Sequence, residues 1–224
     1  VSSTDPLGNA STFDYDLAGR LTASIDPLGN ATTQSWDAAG RRTAVTDAKG
    51  VTTAYGYDPL GRLTSVTEGA VPLPAPAGSD VNVTTSYEYT ATGSLASITD
   101  PLGAVTRFSY DAAGRQIAGT NPLGKTWQYE YDALGRLLQE TDAKNQRTFY
   151  EYTPRSDLAR IDYPSQSDTT FLYDEEQNAI AMTDSLGASG WVFDEAGRLV
   201  SQTDSLGAVL GYEYDATGAR TALE

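Results

Sequence analysis

The sequence predicts an all-β protein: tandem 21-residue β-hairpin repeats forming one long antiparallel sheet that curls into a spiral, a shell-like wall or a solenoid. Three observations carry this expectation. An aromatic anchor recurs in near-constant register. Two Asp–Gly turn signals recur within each period. The stretches between turns are rich in Thr, Val and aromatics and lack helix-capping signals.

The anchors are Tyr15, Trp36, Tyr57, Tyr89, Tyr110, Tyr131, Tyr152, Tyr173, Phe193 and Tyr214, separated by 21, 21, 32, 21, 21, 21, 21, 20 and 21 residues. The long step is one unit plus 11 inserted residues, and the chain reads as a single continuous array over 1–224 of about ten units. The insertion, at 69–80, is rich in Pro and Ala, which favours an extended polyproline-like segment. Its bland reading is a tolerated surface loop, and its sharper one a partner contact or linker. Register is expected to resume at Val83 to Tyr89.

Directly after six of the ten anchors comes the first turn in full, Asp-x-x-Gly-Arg. It supplies Asp16, Gly19 and Arg20; Asp37, Gly40 and Arg41; Asp58, Gly61 and Arg62; Asp111, Gly114 and Arg115; Asp132, Gly135 and Arg136; Asp194, Gly197 and Arg198. The second turn, Asp-x-x-Gly, often carries Pro after the Asp, as in Asp26-Pro27-Leu28-Gly29. Asp in such a turn accepts hydrogen bonds from downstream backbone amides, Pro presets φ near −65°, and Gly takes the positive φ at which the chain re-enters a strand. Asp184 to Gly187 reads as one more second turn, and in the irregular eighth unit Asn178 is the expected positive-φ residue.

Between turns the alternation has period two, so that Leu21, Ala23 and Ile25 are expected on one face and Arg20, Thr22 and Ser24 on the other. Equivalent anchors lie two strands apart, about 9.5 Å by the strand spacing. They make an aromatic–aliphatic ladder in which Tyr110, if it behaves as a core aromatic, is worth roughly 3–5 kcal/mol.

At these residues the sequence resembles the RHS/YD-repeat family, whose unit is written roughly as Tyr-Asp-x-x-Gly-Arg-Leu followed by a second Asp-x-x-Gly. Tyr15 to Leu21, Tyr57 to Leu63 and Tyr131 to Leu137 carry the Tyr-Asp-x-x-Gly-Arg-Leu part of it. The resemblance implies a β-sheet ribbon spiralling into a hollow shell, and a secreted or cell-surface protein. Many large bacterial members enclose a toxic C-terminal domain, delivered by contact-dependent, type VI or insecticidal toxin-complex systems, and animal teneurins carry a similar shell in adhesion. For this chain it implies a wall segment, not a warhead. The seventh and eighth units depart from the pattern, with Thr153 to Asp157 and Asp174 to Asn178 replacing the first turn.

Composition narrows the chemistry. There are 30 acidic and 15 basic residues, a net charge of −15, and neither Cys nor His. Nucleic acid is excluded as the main partner, because its binders need a basic footprint. Disulfides, thiolate nucleophiles and His-based triads are excluded outright. No stretch is apolar for long enough to cross a membrane as a helix. The chain opens on Val1, not Met, and reads as a piece of something longer.

The turn Asp residues read as turn chemistry, with calcium along a turn-lined edge as the sharper alternative. The Gly-Arg arginines are expected to pair with an acidic residue on a neighbouring turn, or to stack over a neighbour's anchor ring. Trp36, Trp127 and Trp191 are the first suspects for a carbohydrate platform. Asp14, Glu88, Glu130 and Glu213 each precede an anchor and read as a solvated row opposite it, not as an acid–base pair. Asn9, Asn30 and Asn82 match the glycosylation pattern. The expectation is therefore a non-enzymatic scaffold without cofactor or metal. It would contact other parts of its parent polypeptide or an enclosed toxin domain, and its exposed edge strands would invite self-association. The alternative is an adhesion module that binds a glycan or a cell-surface receptor through exposed aromatics or the 69–80 loop.

Overall fold

The computed structural model describes residues 1–70 and 82–223, so the Pro/Ala-rich stretch of the insertion lies outside the described residues. The chain divides into two compact units: Val1–Gly114 with Asn121–Leu123, and Arg115–Thr120 with Gly124–Glu224.

The first unit holds β1 (Ser2–Thr4), β2 (Ala10–Tyr15), β3 (Leu21–Ile25), β4 (Ala31–Trp36), β5 (Arg42–Thr46), β6 (Thr52–Tyr57), β7 (Leu63–Glu68), β8 (Val83–Tyr89), β9 (Leu95–Thr99) and β10 (Val105–Tyr110). The second holds β11 (Gln116–Thr120), β12 (Thr126–Tyr131), β13 (Leu137–Thr141), β14 (Arg147–Tyr152), β15 (Leu158–Asp162), β16 (Thr169–Tyr173), β17 (Ala179–Asp184), β18 (Gly187–Phe193), β19 (Leu199–Thr203), β20 (Val209–Tyr214) and β21 (Arg220–Leu223).

Within each unit every strand pairs antiparallel with its sequence neighbours and contacts no other strand. The curled, spiral or solenoid sheet expected from the sequence is therefore not what forms. Among the described residues the terminal strands β1 and β21 have one partner each, and within each unit no strand lies across a face. The reason is the connections. Every described link is a short hairpin turn that sets the next strand alongside the last, and none is long enough to carry a strand over the sheet. Such a single layer has no interior: among the described residues no hydrophobic side chain is buried, and the buried polar residue is Ser97, 5% exposed.

Both turn families share one geometry. In the first, the Gly19 amide donates to the Asp16 carbonyl at 3.0 Å, and the Asp16 amide donates to the Arg20 carbonyl at 2.9 Å. Gly19 sits at φ 77°, which makes a type I turn closed by a left-handed bulge residue. In three turns that position is taken by Asn145 (φ 62°), Ser156 (φ 75°) and Gln177 (φ 68°). In the eighth unit the positive-φ residue is thus Gln177 and not Asn178. Asp184 to Gly187 also departs from expectation. Asp184 pairs directly with Gly187 across a two-residue turn, and the lost residue accounts for the 20-residue step between Tyr173 and Phe193.

One feature of the register is invisible in the alternation. Tyr15 pairs with Leu21, but Asp14 pairs with Ala23, Phe13 with Ser24 and Thr12 with Ile25. Thr22 is an extra residue, and the same shift recurs in every described hairpin that follows an anchor. A bulge of this kind reverses the face of every residue beyond it. Leu21 therefore lies on the aromatic face together with Ser24, while Ala23 and Ile25 lie on the opposite face, where Ile25 is 37% exposed. The expected grouping of Leu21, Ala23 and Ile25 does not form.

Candidate functional site

The recurring arrangement is a ladder built from the first turns and the anchors. At its base is one carboxylate. Asp16 Oδ1 accepts from the Ala18 amide at 2.9 Å and the Arg20 amide at 3.0 Å, and Oδ2 accepts from Arg20 Nε at 2.7 Å. The Arg20 amide, ahead of its guanidinium, holds the Asp16 carboxyl below the usual carboxylate range. Asp37 is lowered in the same way by Arg41, and Asp194 by the Arg198 side chain first and its amide second. The acidic partner of Arg20, Arg41, Arg62, Arg136 and Arg198 is thus the Asp of its own turn, four residues before it, and not that of a neighbouring turn.

Held there, the guanidinium reaches the next unit. Arg41 lies 4.9 Å from the centroid of the Tyr57 ring and donates through Nη1 to the Asp58 carbonyl at 3.0 Å. Arg20 over Trp36, Arg62 over Tyr89, Arg115 over Tyr131, Arg136 over Tyr152 and Arg198 over Tyr214 repeat the stacking at 4.6–5.8 Å. The stacking half of the expectation for these arginines therefore holds.

The anchor hydroxyls close the ladder. Tyr110 Oη donates to the Leu95 carbonyl at 2.8 Å, Tyr131 to Gln116 at 2.9 Å, Tyr152 to Leu137 at 3.0 Å, Tyr173 to Leu158 at 2.9 Å and Tyr214 to Leu199 at 2.8 Å. Tyr57 donates to the Arg42 carbonyl at 2.9 Å, and Trp36 takes the same position with its indole, Nε1 donating to the Leu21 carbonyl at 2.8 Å. Each acceptor is the first strand residue of the preceding unit. The acceptors are backbone carbonyls, five of these seven belonging to the Leu two residues after the turn's positive-φ position, with Arg42 and Gln116 at the other two. Tyr15 is 51% exposed, and Phe193 has no hydroxyl to donate.

The remaining suspects find ordinary partners. Trp127 lies over Gly119, its direct cross-strand neighbour, so closely that a Cβ on Gly119 would stand 2.0 Å from the indole. Trp191 pairs with Gln202 on the aromatic face. Asp14, Glu88, Glu130 and Glu213 lie on the opposite face, facing Ala23, Ser97, Gln139 and Ala222. Glu88 accepts from Ser97 Oγ at 2.8 Å, and Glu130 from Gln139 Nε2 at 3.1 Å. Asn9 and Asn30 do in the second turns what arginine does in the first: their side-chain amides donate to Asp5 at 2.8 Å and Asp26 at 2.7 Å. Burial, then the charge of Glu140, raises the Tyr129 and Tyr150 hydroxyls above the usual phenol range. Among the described residues no three Asp or Glu side chains are grouped to hold a metal ion, and no helix is long and apolar enough to cross a membrane.

Fold and ladder together define a tandem β-hairpin repeat array whose units are clamped by turn arginines and anchor hydroxyls. The RHS Repeat family matches residues 1–32, 15–52, 36–70, 89–120, 110–148 and 193–223, more than half of the chain, and the chain belongs to that family. No curated protein matches it. Among solved structures it is similar to TcdB2-TccC3 without its hypervariable C-terminal region, with a TM-score of 0.58 and 18% identity over 100% of this chain and 15% of that one. It is similar to TcdB2-TccC3-TEV, with a TM-score of 0.57 and 17% identity over 100% of this chain and 15% of that one. It is also similar to a Photorhabdus luminescens Tc holotoxin pore carrying a substituted TccC3, with a TM-score of 0.51 and 18% identity over 99% of this chain and 18% of that one. At such identities the likeness is one of fold, and the chain spans less than a fifth of the length of those chains.

Proposed function

We propose that this chain is a non-enzymatic structural scaffold: a segment of an extracellular YD-repeat wall or stalk that, in a longer polypeptide, encloses or presents another domain such as a C-terminal toxin. In this reading 1–224 is one continuous array, and its partners are neighbouring parts of the same polypeptide or the domain it holds. The observation that carries the reading is the match of the whole chain to a small part of the TcdB2-TccC3 fold. The side-chain chemistry agrees with it. The turn carboxylates are spent on backbone amides and arginines, and the anchor rings on arginines and carbonyls. A glycan- or receptor-binding face would instead need those ring faces open.

Enclosure belongs to the longer array, since the sheet described here is open. It is tested by protease protection in the polypeptide that carries the array. The adjoining domain should resist trypsin next to the intact array and become digestible when two 21-residue units are deleted in register. Equal digestion of that domain in both forms overturns enclosure.

A further inference from the structure

At six junctions an arginine of this chain fills the space between one first turn and the next anchor ring. Three junctions lack that arginine. Before Tyr110 its place is taken by Ser94, and Thr90 stands where the turn Asp would, so that turn offers a guanidinium no carboxylate. Before Tyr173 its place is taken by Asp157, and a neighbouring side chain occupies the carboxylate: Gln177 Nε2 donates to Asp157 Oδ1 at 2.7 Å. Before Phe193 its place is taken by Asn178. The Asn178 amide donates to Asp174 Oδ2 at 2.9 Å, as an arginine Nε does elsewhere, but the side chain ends there. A cavity of about 310 Å³ remains, lined by Asp174, Glu176, Asn178, Phe193, Asp194, Glu195 and Gly197.

We infer that this vacant slot binds the guanidinium group of an arginine side chain from a partner polypeptide. The molecule supplies its own precedent, because equivalent atoms of six other junctions hold a guanidinium. The Phe193 ring stands where those guanidiniums stack. The Asp194 carbonyl stands where Arg41 Nη1 finds the Asp58 carbonyl in an earlier junction. The charges around the slot are Asp174, Glu175, Glu176, Asp194 and Glu195 against Arg155 and Arg198. Both arginines are engaged, Arg155 with the Glu175 carbonyl and Arg198 with Asp194 and the Tyr214 ring. A flat guanidinium stacks on the ring while donating in its plane, which a lysine ammonium does not do, so arginine is the preferred group. The inference does not rest on the wall reading, since it needs only the junction geometry.

The test uses the chain itself, titrated with N-acetyl-arginine amide and, separately, N-acetyl-lysine amide, while backbone amide shifts are followed by NMR. Saturable shifts confined to residues 174–178 and 193–197 are expected, with arginine binding at least about threefold tighter than lysine. Asn178→Arg fills the slot from within and should abolish them. Phe193→Leu removes the ring, keeps every charge and should weaken them. Shifts spread evenly over all the acidic turns, equal response to the two probes, or undiminished binding in a folded Asn178→Arg variant would each overturn the inference.

Discussion

Arg62 lies over the ring of Tyr89 at 4.6 Å, the same distance that separates Arg136 from Tyr152, although the first pair is 27 residues apart in the chain and the second only 16. The insertion is thus absorbed without disturbing the ladder. Tyr89 Oη still donates to the Leu63 carbonyl at 2.8 Å, and β7 pairs with β8 without a shift from Ser65–Ser86 to Glu68–Val83. Register resumes at Val83 as the spacing predicted. Shortening the insertion to a four-residue Asp-Pro-Leu-Gly turn should therefore leave the melting temperature unchanged or raise it, because loop-closure cost falls only slowly with length. A lower melting temperature would mean that the inserted residues pack on the sheet.

Tyr110 separates the hydrogen-bond part of the ladder from its apolar part. Its hydroxyl is bonded to the Leu95 carbonyl, but the ring is only half-buried in a single layer. Tyr110→Phe should cost about 1 kcal/mol, the worth of one such bond. Tyr110→Ala should cost about 2 kcal/mol, less than a core aromatic, because half the ring is already in water. Urea unfolding of both variants checks this; a neutral Tyr110→Phe would show that the ladder bonds contribute nothing.

Gly119 and Trp127 exchange volume across the sheet. The equivalent pairs, Val45 with Thr53 and Ile98 with Thr106, divide the space more evenly. Gly119→Ile alone should destabilise by about 1–3 kcal/mol, since the indole must leave its place. Adding Trp127→Thr should recover most of that loss by restoring the usual division. A double-mutant cycle measures the coupling, and additive losses would show that the two side chains do not compete.

Acid should melt the ladder from its turns. In Asp16, Asp37 and Asp194 the folded carboxyl titrates below the ordinary aspartate range, held down by arginine amides and guanidiniums. A carboxyl depressed on folding adds stability that is fully present above its unfolded pKa, about 3.9, and is lost as pH falls through the folded value. The melting temperature should therefore be level near neutrality and fall steeply below about pH 4. Asp37→Asn should lower it at pH 7 and make the acid fall shallower; an unchanged acid slope would remove Asp37 from the account.

The positive-φ positions make a graded series. Asn145→Gly should stabilise slightly, and Gly61→Ala, at φ 85°, should cost about 1–2 kcal/mol, the penalty for a side chain in left-handed backbone. Thermal unfolding of the two variants suffices; equal effects would mean that the turns relax away from this geometry.

The strands and most of the turns were legible in the sequence, because each is local. Tyr57-Asp58 with Gly61-Arg62 sets a turn whose bonds close within five residues, and the anchor spacing counts out the strands. Three features needed the structure. The extra residue at Thr22 moves Ala23 and Ile25 to the far face, and nothing in Leu21 to Ile25 distinguishes a bulged strand from a regular one. The hydroxyl acceptors are carbonyls, identical in every residue, so only the stagger between hairpins selects Leu95 or Leu158. The absence of contacts beyond neighbouring strands is likewise a property of how the strands meet, and a periodic sequence specifies the period without specifying those contacts. Periodicity is carried by turns and by alternation, which act between residues near in sequence. The partner of an arginine two strands away, and the vacancy left where Asn178 replaces one, exist only once the hairpins lie side by side.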